Sequence, residues 1–450
     1  MPDDNVVRSN FHGQENKFEV NRISSSENRN LFSRRSFIRW SQSAVAALGA
    51  APFLGTRAEA AATPSVAGED YYDKLGVAKI INAAGTYTTL TAACMPPQVR
   101  RAVDQAALHP VFLHDLQVAS GEYLARKLRC EGALVTSGAS GAITLATAAC
   151  MAHANGNKPG ALPQEAGKLK NEIIVQKSHR YSYDHAMMLC GAVIREVVTL
   201  DDYKRAFNDK TVMTNFFNAA EEEDGPPAEI GREQWLEIAH QHNVPCHIDA
   251  AADMPPIENL WKYTGMGFDL VCFSGGKGIR GPQNVGLLLG KKHLTDLALE
   301  NSNPNGNAVG RGMKVAKEQI VGMVAAVDWL LEQSDEANEA EYSRRAKIIA
   351  DAVKGIPSMK SSIVIPKIAN HVPHLLLKYD PAVVGVTVPQ VVERLRAEKP
   401  RIELNPNTGH KPNQGIPSDA NTLVVGVWML QPGETEIVAR RVRAALTQKA

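Results

Sequence analysis

One lysine stands in a glycine-rich loop between two short apolar runs of the chain. The loop reads Ser-Gly-Gly-Lys-Gly over residues 274–278, and the apolar runs cover residues 270–273 and 285–289. A charged amine between two buried strands costs desolvation free energy unless it has a chemical role, and glycines let a backbone approach a ligand closely. The loop fits two interpretations equally: a surface hairpin with a solvated lysine, or a Lys277 amine that forms a Schiff base with an aldehyde.

An aspartate at the end of another apolar run favours the chemical interpretation. Residues 244–249 read Val-Pro-Cys-His-Ile-Asp, and Asp249 precedes Lys277 by 28 residues. A carboxylate at the end of a buried strand needs a charged or hydrogen-bonding partner. Pyridoxal phosphate supplies one, because its ring nitrogen stays protonated when an aspartate faces it, and the protonated ring accepts electrons from a carbanion. The two patterns predict that Lys277 holds this cofactor and that Asp249 keeps its ring protonated.

These residues carry a resemblance to a known family. The order and spacing of Asp249 and Lys277, with the sequence SGGKGIRGPQ at 274–283, resemble those of fold-type-I pyridoxal-phosphate enzymes. The chain is similar to the branch that contains selenocysteine synthase (seryl-tRNA selenium transferase) and D-glucosaminate-6-phosphate ammonia-lyase, and more distantly to class V aminotransferases and cysteine desulfurases. The resemblance implies an α/β fold-type-I transferase architecture from about Tyr71 onward, with a mainly parallel sheet in a large domain and a small α+β C-terminal domain.

A turn rich in small residues joins a strand-like run at 132–136 to a helical run at 142–154. Free N–H groups and the positive end of a helix bind phosphate. Many strand–helix units contain such a turn, so the turn alone is weak support, but its place upstream of Asp249 and Lys277 fits the cofactor phosphate. The predicted phosphate cradle consists of Ser137, Gly138, Ala139 and Ser140.

The resemblance implies further contacts to the cofactor. Fold-type-I enzymes stack an aromatic ring on the pyridine after the strand that corresponds to residues 172–177, where His179 is the candidate and an ordinary structural histidine is the alternative. A later strand ends at Asn218, the predicted donor to the phenolic oxygen, with Asn215 as the competing choice. Ser274, at the start of the lysine loop, completes the predicted set of cofactor contacts.

A basic segment beyond the lysine loop resembles another family motif. Residues 310–318 read GRGMKVAKE, similar to the family stretch GRGMKVGKE, which lies by the active site near the dimer interface. Arg311 and Lys314 are predicted to meet a phosphate of the cofactor or substrate; a helix start with exposed cations is the alternative. The resemblance implies a homodimer or a higher homo-oligomer.

The composition argues against nucleic-acid and membrane partners. The net charge of the chain is +1, and without residues 1–60 it has 41 Lys and Arg against 42 Asp and Glu. A nucleic-acid-binding surface needs a basic excess, and no run of eighteen apolar residues suggests a membrane span. The six cysteines form no Cys-x-x-Cys pair and no zinc spacing, so no metal site is predicted. The expected partner is a small-molecule amino acid or aminosugar acid.

The first 60 residues differ from the rest and match a twin-arginine export signal. After a polar stretch, Arg34 and Arg35 precede a weakly apolar run at 44–54, and Ala-Glu-Ala at 58–60 offers a cleavage site. The pattern predicts a periplasmic protein that folds with its cofactor before export and keeps no stable membrane association. Folding before export would keep the cysteines reduced, although one disulfide could still form after export.

The order of the runs predicts the domain organisation. Residues 1–60 form the N-terminal region and signal, residues 61–310 a large cofactor-binding domain with an N-terminal segment at 70–95, residues 311–332 a bridging helix, and residues 333–450 a small C-terminal domain. Alternation of strand-like and helical runs in the large part is typical of a parallel sheet.

The leading functional hypothesis is a lyase. It would eliminate a β-substituent from an amino acid or aminosugar acid, in a reaction of the ammonia-lyase or dehydratase type, with Lys277 moving the protons. One alternative is a racemase or epimerase, which needs a second acid–base group such as His179, Tyr181 or Tyr87. A catalytically silent binding protein is disfavoured, because such a protein need keep neither Lys277 nor Asp249.

A transferase of the selenium transferase or class V aminotransferase type is a further alternative. Export and the near-neutral charge disfavour selenium transfer to a tRNA, which needs a basic surface. Aminotransferases hold the substrate carboxylate with an arginine on a late strand of the small domain, but residues 421–430 read NTLVVGVWML. Trp428 or the loop at 405–410 is instead expected to shape the substrate pocket.

Overall fold

The computed structural model describes residues 69–91, 93–222 and 229–448. The predicted export signal at residues 1–60 lies outside these ranges. In the described ranges, no helix combines the length and the apolar character that crossing a membrane requires.

The strands of the described ranges form three sheets. In chain order the strands are β1 (Ile80–Ala83), β2 (Gly132–Thr136), β3 (Glu172–Gln176), β4 (Val193–Val197), β5 (Thr211–Phe217), β6 (Cys246–Asp249), β7 (Leu270–Ser274), β8 (Gly286–Gly290), β9 (Lys360–Val364), β10 (His374–Lys378), β11 (Arg401–Leu404) and β12 (Thr422–Gly426).

Helices alternate with most of these strands. In chain order the α-helices are α1 (Tyr71–Lys74), α2 (Pro97–Ala107), α3 (Leu113–Lys127), α4 (Gly138–Asn155), α5 (His185–Met188), α6 (Leu200–Ala206), α7 (Arg232–Gln241), α8 (Asn259–Met266), α9 (Lys292–Glu300), α10 (Lys317–Leu331), α11 (Asp335–Val353), α12 (Pro381–Val384), α13 (Val388–Ala397) and α14 (Glu434–Thr447). The predicted bridging helix corresponds to α10.

The largest sheet has seven strands in the order β2–β8–β7–β6–β5–β3–β4. β8 is antiparallel to its two neighbours, whereas the pairs from β7 through β4 are parallel. Strands of a parallel sheet that is covered on both faces are apolar throughout, and every residue of β2, β6 and β8 is buried. Because β2 points the same way as β7, the loops that follow β2, β3, β5, β6 and β7 meet at one edge. Ligands of open α/β sheets bind at this kind of edge.

Two apolar clusters cover the two faces of this sheet. One contains Phe216, Ile248 and Phe273, and the other contains Cys272 together with most of α4. The small side chains of α4, largely alanine, are buried and allow this helix to pack closely on the sheet. Since side chains alternate along a strand, Asp249 points to the α4 face, opposite to Ile248.

A second core belongs to the C-terminal part of the chain. β12, β10 and β9 form an antiparallel sheet, and α11, α13 and α14 contribute to its apolar cluster. β1 pairs in parallel with β11, and Ile81 is buried in this second core. The N-terminal segment was predicted to belong to the large domain, but its strand packs with the C-terminal part. Two apolar residues in a short strand do not show which distant strand they will pair with.

Candidate active site

The loop that carries Lys277 is held in place by the close packing of its glycines. A Cβ at Gly276 would lie 2.4 Å from the Gln283 carbonyl oxygen, and a Cβ at Gly278 would lie 2.4 Å from that of Met254. Contacts this short exclude any side chain, so the loop needs glycine at both positions. The packing fixes the backbone on both sides of Lys277 at the carboxyl end of β7. Ser274, half-buried, is the last residue of that strand.

The Lys277 amine has the environment of a nucleophile. Within the described ranges, its Nζ atom makes no hydrogen bond and no ion pair. Burial lowers the pKa of Lys277, and the nearby carboxylates of Asp249 and Asp253 oppose this shift. A lysine whose charged form is desolvated reaches the free amine more easily and so reacts more readily with an aldehyde.

Asp249 ends β6 and is only 3% exposed. Its Oδ1 accepts hydrogen bonds from the Ala251 N–H at 2.9 Å and from the Cys272 thiol at 3.3 Å. Its Oδ2 accepts from the Tyr181 hydroxyl. Burial, followed by the adjacent Asp249 carboxylate, raises the pKa of Tyr181, so this hydroxyl keeps its proton and remains a donor. The three donors hold the carboxylate in one orientation at the sheet edge.

Tyr181 rather than His179 reaches this carboxylate. The His179 ring is 0% exposed, its Nδ1 accepts from the Phe217 N–H at 3.2 Å, and burial lowers its pKa to about 4. The Tyr181 ring stacks on the Phe217 ring, with centroids 4.2 Å apart. A ring that stacks on a cofactor needs one face open to the cleft, so the position of His179 does not support its predicted stacking role. His179 anchors Phe217, which in turn supports Tyr181.

The predicted phosphate cradle lies at the start of α4. Gly138 has φ +75°, a left-handed conformation that favours glycine, and a Cβ at Gly286 would lie 2.4 Å from the Gly138 carbonyl carbon. The Ser137 side chain caps none of the N–H groups of α4, which leaves the first turn with Ala139 and Ser140 for an anion. A Cβ at Gly141 would lie 2.7 Å from the Ser137 Oγ. The glycines therefore give the turn its shape and leave room for the serine.

Asn218 is committed to other partners. Its Nδ2 donates to the Asp253 Oδ2 at 2.5 Å and to the Tyr263 hydroxyl at 2.9 Å, and its Oδ1 accepts from the Arg232 Nη1 at 2.6 Å. An amide nitrogen has two hydrogens, so no donor is left for the phenolic oxygen of a cofactor. This arrangement does not support the predicted role of Asn218. The sequence did not reveal the competing acceptors, which lie 35 and 45 residues further along the chain.

The competing residue Asn215 also pairs within the protein. Its Oδ1 lies 2.6 Å from the Nδ1 of His247, and its Nδ2 is buried without a partner among the described residues. Asn215 and His247 lie opposite each other on β5 and β6, deeper in the sheet than Asp249.

The segment that contains Arg311 lies beside the phosphate cradle. Gly310 bridges to Ser302, and a Cβ at Gly310 would lie 2.7 Å from the Leu145 side chain of α4. The Met313 sulfur lies 3.9 Å from a Cβ placed at Gly141. Arg311 is exposed, so its predicted contact with a phosphate of the same or a neighbouring subunit stays a prediction.

Trp428 and Asn405 of the C-terminal part bond the segment after the lysine loop and the N-terminal segment, and we call these two residues with their partners the small-domain wall. Arg280, just after the lysine loop, donates to the Trp428 carbonyl oxygen at 2.8 Å. The Asn405 Nδ2 donates to the Tyr87 hydroxyl at 3.1 Å and to the Ala84 carbonyl oxygen at 2.9 Å. The N-terminal segment and the segment after the lysine loop are thus joined to the C-terminal part by direct hydrogen bonds.

The residues at this edge fit pyridoxal phosphate. The edge combines a desolvated lysine without a partner, a buried carboxylate in a fixed orientation, and a helix N-terminus packed so closely that Gly286 beside it has no room for a Cβ. These are the groups that the aldehyde, the ring nitrogen and the phosphate of the cofactor require. The sequence did not reveal the hydrogen bond from Tyr181 to Asp249 or the burial of a second carboxylate, that of Asp253. The signal for Asp253 was its place four residues beyond Asp249, in the sequence Asp-Ala-Ala-Ala-Asp.

Comparison with known proteins decides the family. Residues 131–370, more than half of the chain, match the family Aminotransferase class-V. The chain belongs to the aminotransferase class-V family. The membership confirms the predicted fold-type-I α/β fold, the prediction of an enzyme and the pyridoxal 5′-phosphate cofactor.

Two curated relatives of this class-V chain match most of its length. The chain is 28% identical over 389 residues to the 5′-C-glycyluridine monooxygenase-decarboxylase of a Streptomyces species. The aligned region covers 83% of this chain and 92% of the relative. It is 26% identical over 334 residues to the D-glucosaminate-6-phosphate ammonia lyase of Salmonella typhimurium, over 72% of this chain and 86% of the relative.

Two further matches bear on the predicted resemblance. A solved structure of D-glucosaminate-6-phosphate ammonia-lyase superposes with a TM-score of 0.70 at 23% identity, over 84% of this chain and 98% of that structure, which shows the shared fold. The L-seryl-tRNA(Sec) selenium transferase of Caldanaerobacter subterraneus is 24% identical, over 65% of this chain and 67% of the relative. The predicted resemblance to this branch of class-V enzymes is therefore confirmed.

Proposed function

We propose that this enzyme is a lyase that carries out α,β-elimination on an amino acid or aminosugar acid and releases ammonia with a keto acid. The observation that carries the proposal is the partnerless, desolvated Lys277 near the fixed carboxylate of Asp249. This pair suits a reaction that starts with removal of the proton from the α-carbon. The similarity to D-glucosaminate-6-phosphate ammonia lyase supports the choice of ammonia release.

The chain's own residues have separate tasks in this proposal. When bound, pyridoxal phosphate supplies the electron sink that stabilises the carbanion. Lys277 would hold the cofactor, take the α-proton once it is released, and later return protons. Asp249 would contact the ring nitrogen, and the phosphate cradle would hold the phosphate through the free N–H groups of α4.

The small-domain wall supports elimination over transamination. β12, the late strand of the C-terminal sheet, reads Thr-Leu-Val-Val-Gly and has no arginine for a substrate carboxylate. The polar groups nearby include those of Tyr87 and Asn405, which bond each other. Uncharged donors suit the hydroxyl groups of a sugar acid, and a phosphorylated sugar acid is an improbable metabolite outside the cytoplasm, so we propose an unphosphorylated aminosugar acid or hydroxyamino acid.

A panel of substrates tests the proposal. The purified, cofactor-loaded enzyme is incubated with D- and L-hydroxyamino acids and unphosphorylated aminosugar acids, and ammonia, keto acid and optical rotation are followed. We expect ammonia and keto acid in equal amounts. Loss of optical rotation without ammonia would instead identify a racemase, with Tyr181 or Tyr87 as its second acid–base group.

A second candidate is an oxidative decarboxylation. The relative named as a monooxygenase-decarboxylase covers 83% of this chain, a larger share than the ammonia lyase. The same panel separates the two candidates if oxygen uptake and carbon dioxide are measured. Consumption of oxygen with release of carbon dioxide supports this second candidate, and ammonia release under nitrogen supports the lyase.

Selenium transfer and a silent binding role have less support. The chain has a net charge of +1, so its composition has no basic excess of the kind that tRNA binding needs. A protein that only binds a ligand has no need to desolvate a lysine beside two carboxylates, because that arrangement costs free energy.

We also propose that the protein works in the periplasm after twin-arginine export. The support is the arrangement of Arg34 and Arg35 before the apolar run at 44–54 and the Ala-Glu-Ala at 58–60. Replacement of both arginines with lysine should leave an uncleaved precursor in the cytoplasm, as detected by fractionation and immunoblotting. Normal amounts of periplasmic protein in that variant would contradict the proposal.

Assembly as a homodimer is the remaining proposal. Between α2 and α3, Leu108, Val111 and Phe112 are exposed, Phe112 at 82%, and large exposed apolar side chains so near one another in the sequence suit a protein interface. If Arg311 reaches the site of a second copy, a mixture of the inactive variants Lys277→Ala and Arg311→Ala should recover about a quarter of wild-type activity, as expected for a two-fold interface. Subunit exchange without recovery would exclude a shared site.

A further inference from the structure

A second buried carboxylate, Asp253, has no part in the mechanism described above. It is 1% exposed. Its Oδ2 accepts from the Asn218 amide at 2.5 Å and from the Tyr263 hydroxyl at 2.9 Å. Its Oδ1 is buried without a hydrogen-bond partner among the described residues. An unpartnered buried carboxylate oxygen costs free energy, and such an atom usually indicates a ligand or a catalytic role.

The backbone places Asp253 next to the lysine loop. Its N–H donates to the Ala250 carbonyl oxygen at 3.1 Å, so the chain turns sharply after Asp249. Met254, the next residue, packs so tightly on Gly278 that a Cβ there would lie 2.4 Å from the Met254 carbonyl oxygen. Met254 follows Asp253 and Gly278 follows Lys277, so the direct contact of Met254 with Gly278 brings the two charged residues close together. Asp253 and Lys277 also affect each other's pKa.

Charged and titratable groups face Asp253 from every neighbouring element. Tyr263 approaches from α8 and Arg232 from α7, where its guanidinium donates to Asn218 at 2.6 Å and lies 5.6 Å from the Tyr263 ring centroid. Asp249 faces it from the end of β6, and Lys277 faces it from the loop after β7. The two carboxylates are thus balanced by one arginine and one lysine.

We propose that Asp253 is a positioning residue that stabilises the ammonium form of Lys277 after this lysine has taken the α-proton of the substrate. In that step the α C–H bond of the substrate would break, its electron pair would stay with the substrate carbon, and the proton would form a new N–H bond on Lys277. An ammonium in this desolvated place needs a counter-charge, and the free Oδ1 of Asp253 supplies it. The inference rests on the role of Lys277 proposed above.

The stabilisation of the Lys277 ammonium by Asp253 depends on pH, because it requires the carboxylate to be ionised. Burial raises the pKa of Asp253 to about 6, against the lowering effect of the Asn218 and Tyr263 hydrogen bonds. The carboxylate is therefore charged above about pH 6 and neutral below it. The support that it gives to the Lys277 ammonium is present above that pH and is lost as the pH falls through it.

The direct test measures the charge of Lys277 without turnover. The full mature chain, purified without cofactor, is trace-acetylated at a series of pH values, and the acetylation rate of Lys277 is followed by peptide mass spectrometry. In Asp253→Asn the rate at pH 7 should rise about tenfold, because loss of a neighbouring negative charge lowers the lysine pKa by about one unit. Asp328→Asn is the control, since Asp328 also accepts from a tyrosine hydroxyl, that of Tyr123, and should leave the rate unchanged.

A second variant keeps the test decisive if Asp253→Asn does not fold. Tyr263→Phe removes one donor to Asp253, which raises the pKa of this carboxylate, so the acid limb of the kcat profile of the loaded enzyme should move to higher pH while KM stays unchanged. Asp253→Glu should keep the acid limb. Equal acetylation profiles in Asp253→Asn and Asp328→Asn, or an unmoved acid limb in Tyr263→Phe, would overturn the inference. Cofactor trapped on a lysine other than Lys277 would defeat the proposed function, yet the acetylation comparison would still decide the role of Asp253.

Discussion

The two walls of the active site are built in different ways. On the large-sheet wall, Asp249 is the last residue of a strand, Lys277 and the phosphate cradle come shortly after the ends of two others, and these strands bring their ends to one edge. On the small-domain wall, Asn405 reaches residues more than 300 positions earlier in the chain, and Arg280 bonds a residue 148 positions away. The first wall has the groups that we propose bind the cofactor, and the second includes the uncharged groups of Tyr87 and Asn405, which we propose meet the substrate. Mutations in the first should change turnover and cofactor binding, and mutations in the second should change KM.

The largest effect is expected at Asp249. In Asp249→Ala, turnover should fall about a thousandfold, because the electrostatic stabilisation of the protonated ring is lost. KM should change little, since the small-domain wall is intact. The measurement is steady-state kinetics with the best substrate of the panel, with Asp296→Ala on the surface of α9 as the control. Near-normal turnover would remove the electron-sink role from Asp249.

Shape rather than charge is tested at the phosphate cradle. Gly286→Ala puts a Cβ 2.4 Å from the Gly138 carbonyl carbon, which forces the turn to shift. The dissociation constant of the cofactor should rise about tenfold, equivalent to about 1.4 kcal/mol. Gly167→Ala is the matched control, because no atom lies within 4 Å of its Cβ position. Unchanged affinity, measured by fluorescence titration, would place the phosphate elsewhere.

The strand ends and turns of the large-sheet wall were predictable from the sequence for a physical reason, whereas the roles of Lys277 and Asp249 toward the cofactor stay predictions. Strands, glycine turns and a strand-end carboxylate are local patterns, and a parallel sheet collects strand ends whatever the loops do. The sequence could not predict contacts where a side chain or strand has several possible partners. Nothing in the local pattern shows that Asn218 bonds Asp253 and Tyr263, that His179 turns into the core to hold Phe217, or that β1 pairs with β11 far along the chain.

The contact that sequence reasoning missed at Tyr181 is a further test of the large-sheet wall. Tyr181→Phe removes the hydroxyl that donates to Asp249, and a hydrogen bond to a charged group contributes about 1.5–3 kcal/mol. Turnover should therefore fall about tenfold, with KM unchanged. Tyr183→Phe is the matched control, because Tyr183 is a neighbouring tyrosine that is 54% exposed. Equal kinetics of the two variants would show that the hydroxyl does not matter to the carboxylate.

The smallest effect is expected on the small-domain wall. Asn405→Ala removes the donor to Tyr87 and Ala84 and leaves buried acceptors unsatisfied, at a cost of about 1–3 kcal/mol. KM should rise a few-fold, while kcat and the cofactor affinity stay within about twofold, since no cofactor-binding group moves. Asn421→Ala, at an exposed site beside β12, is the control. A large fall in kcat with constant KM would erase the distinction between the two walls.

The lysine that bears the cofactor can be identified directly, and this measurement tests the role proposed for Lys277. The purified enzyme is loaded with pyridoxal phosphate, reduced with borohydride, digested and mapped by mass spectrometry. We predict that the reduced cofactor is found on the peptide that contains Lys277, and that Lys277→Ala carries none while unfolding at the wild-type temperature. Cofactor on another lysine of the wild-type enzyme, or undiminished labelling of Lys277→Ala, would show that Lys277 does not hold the cofactor.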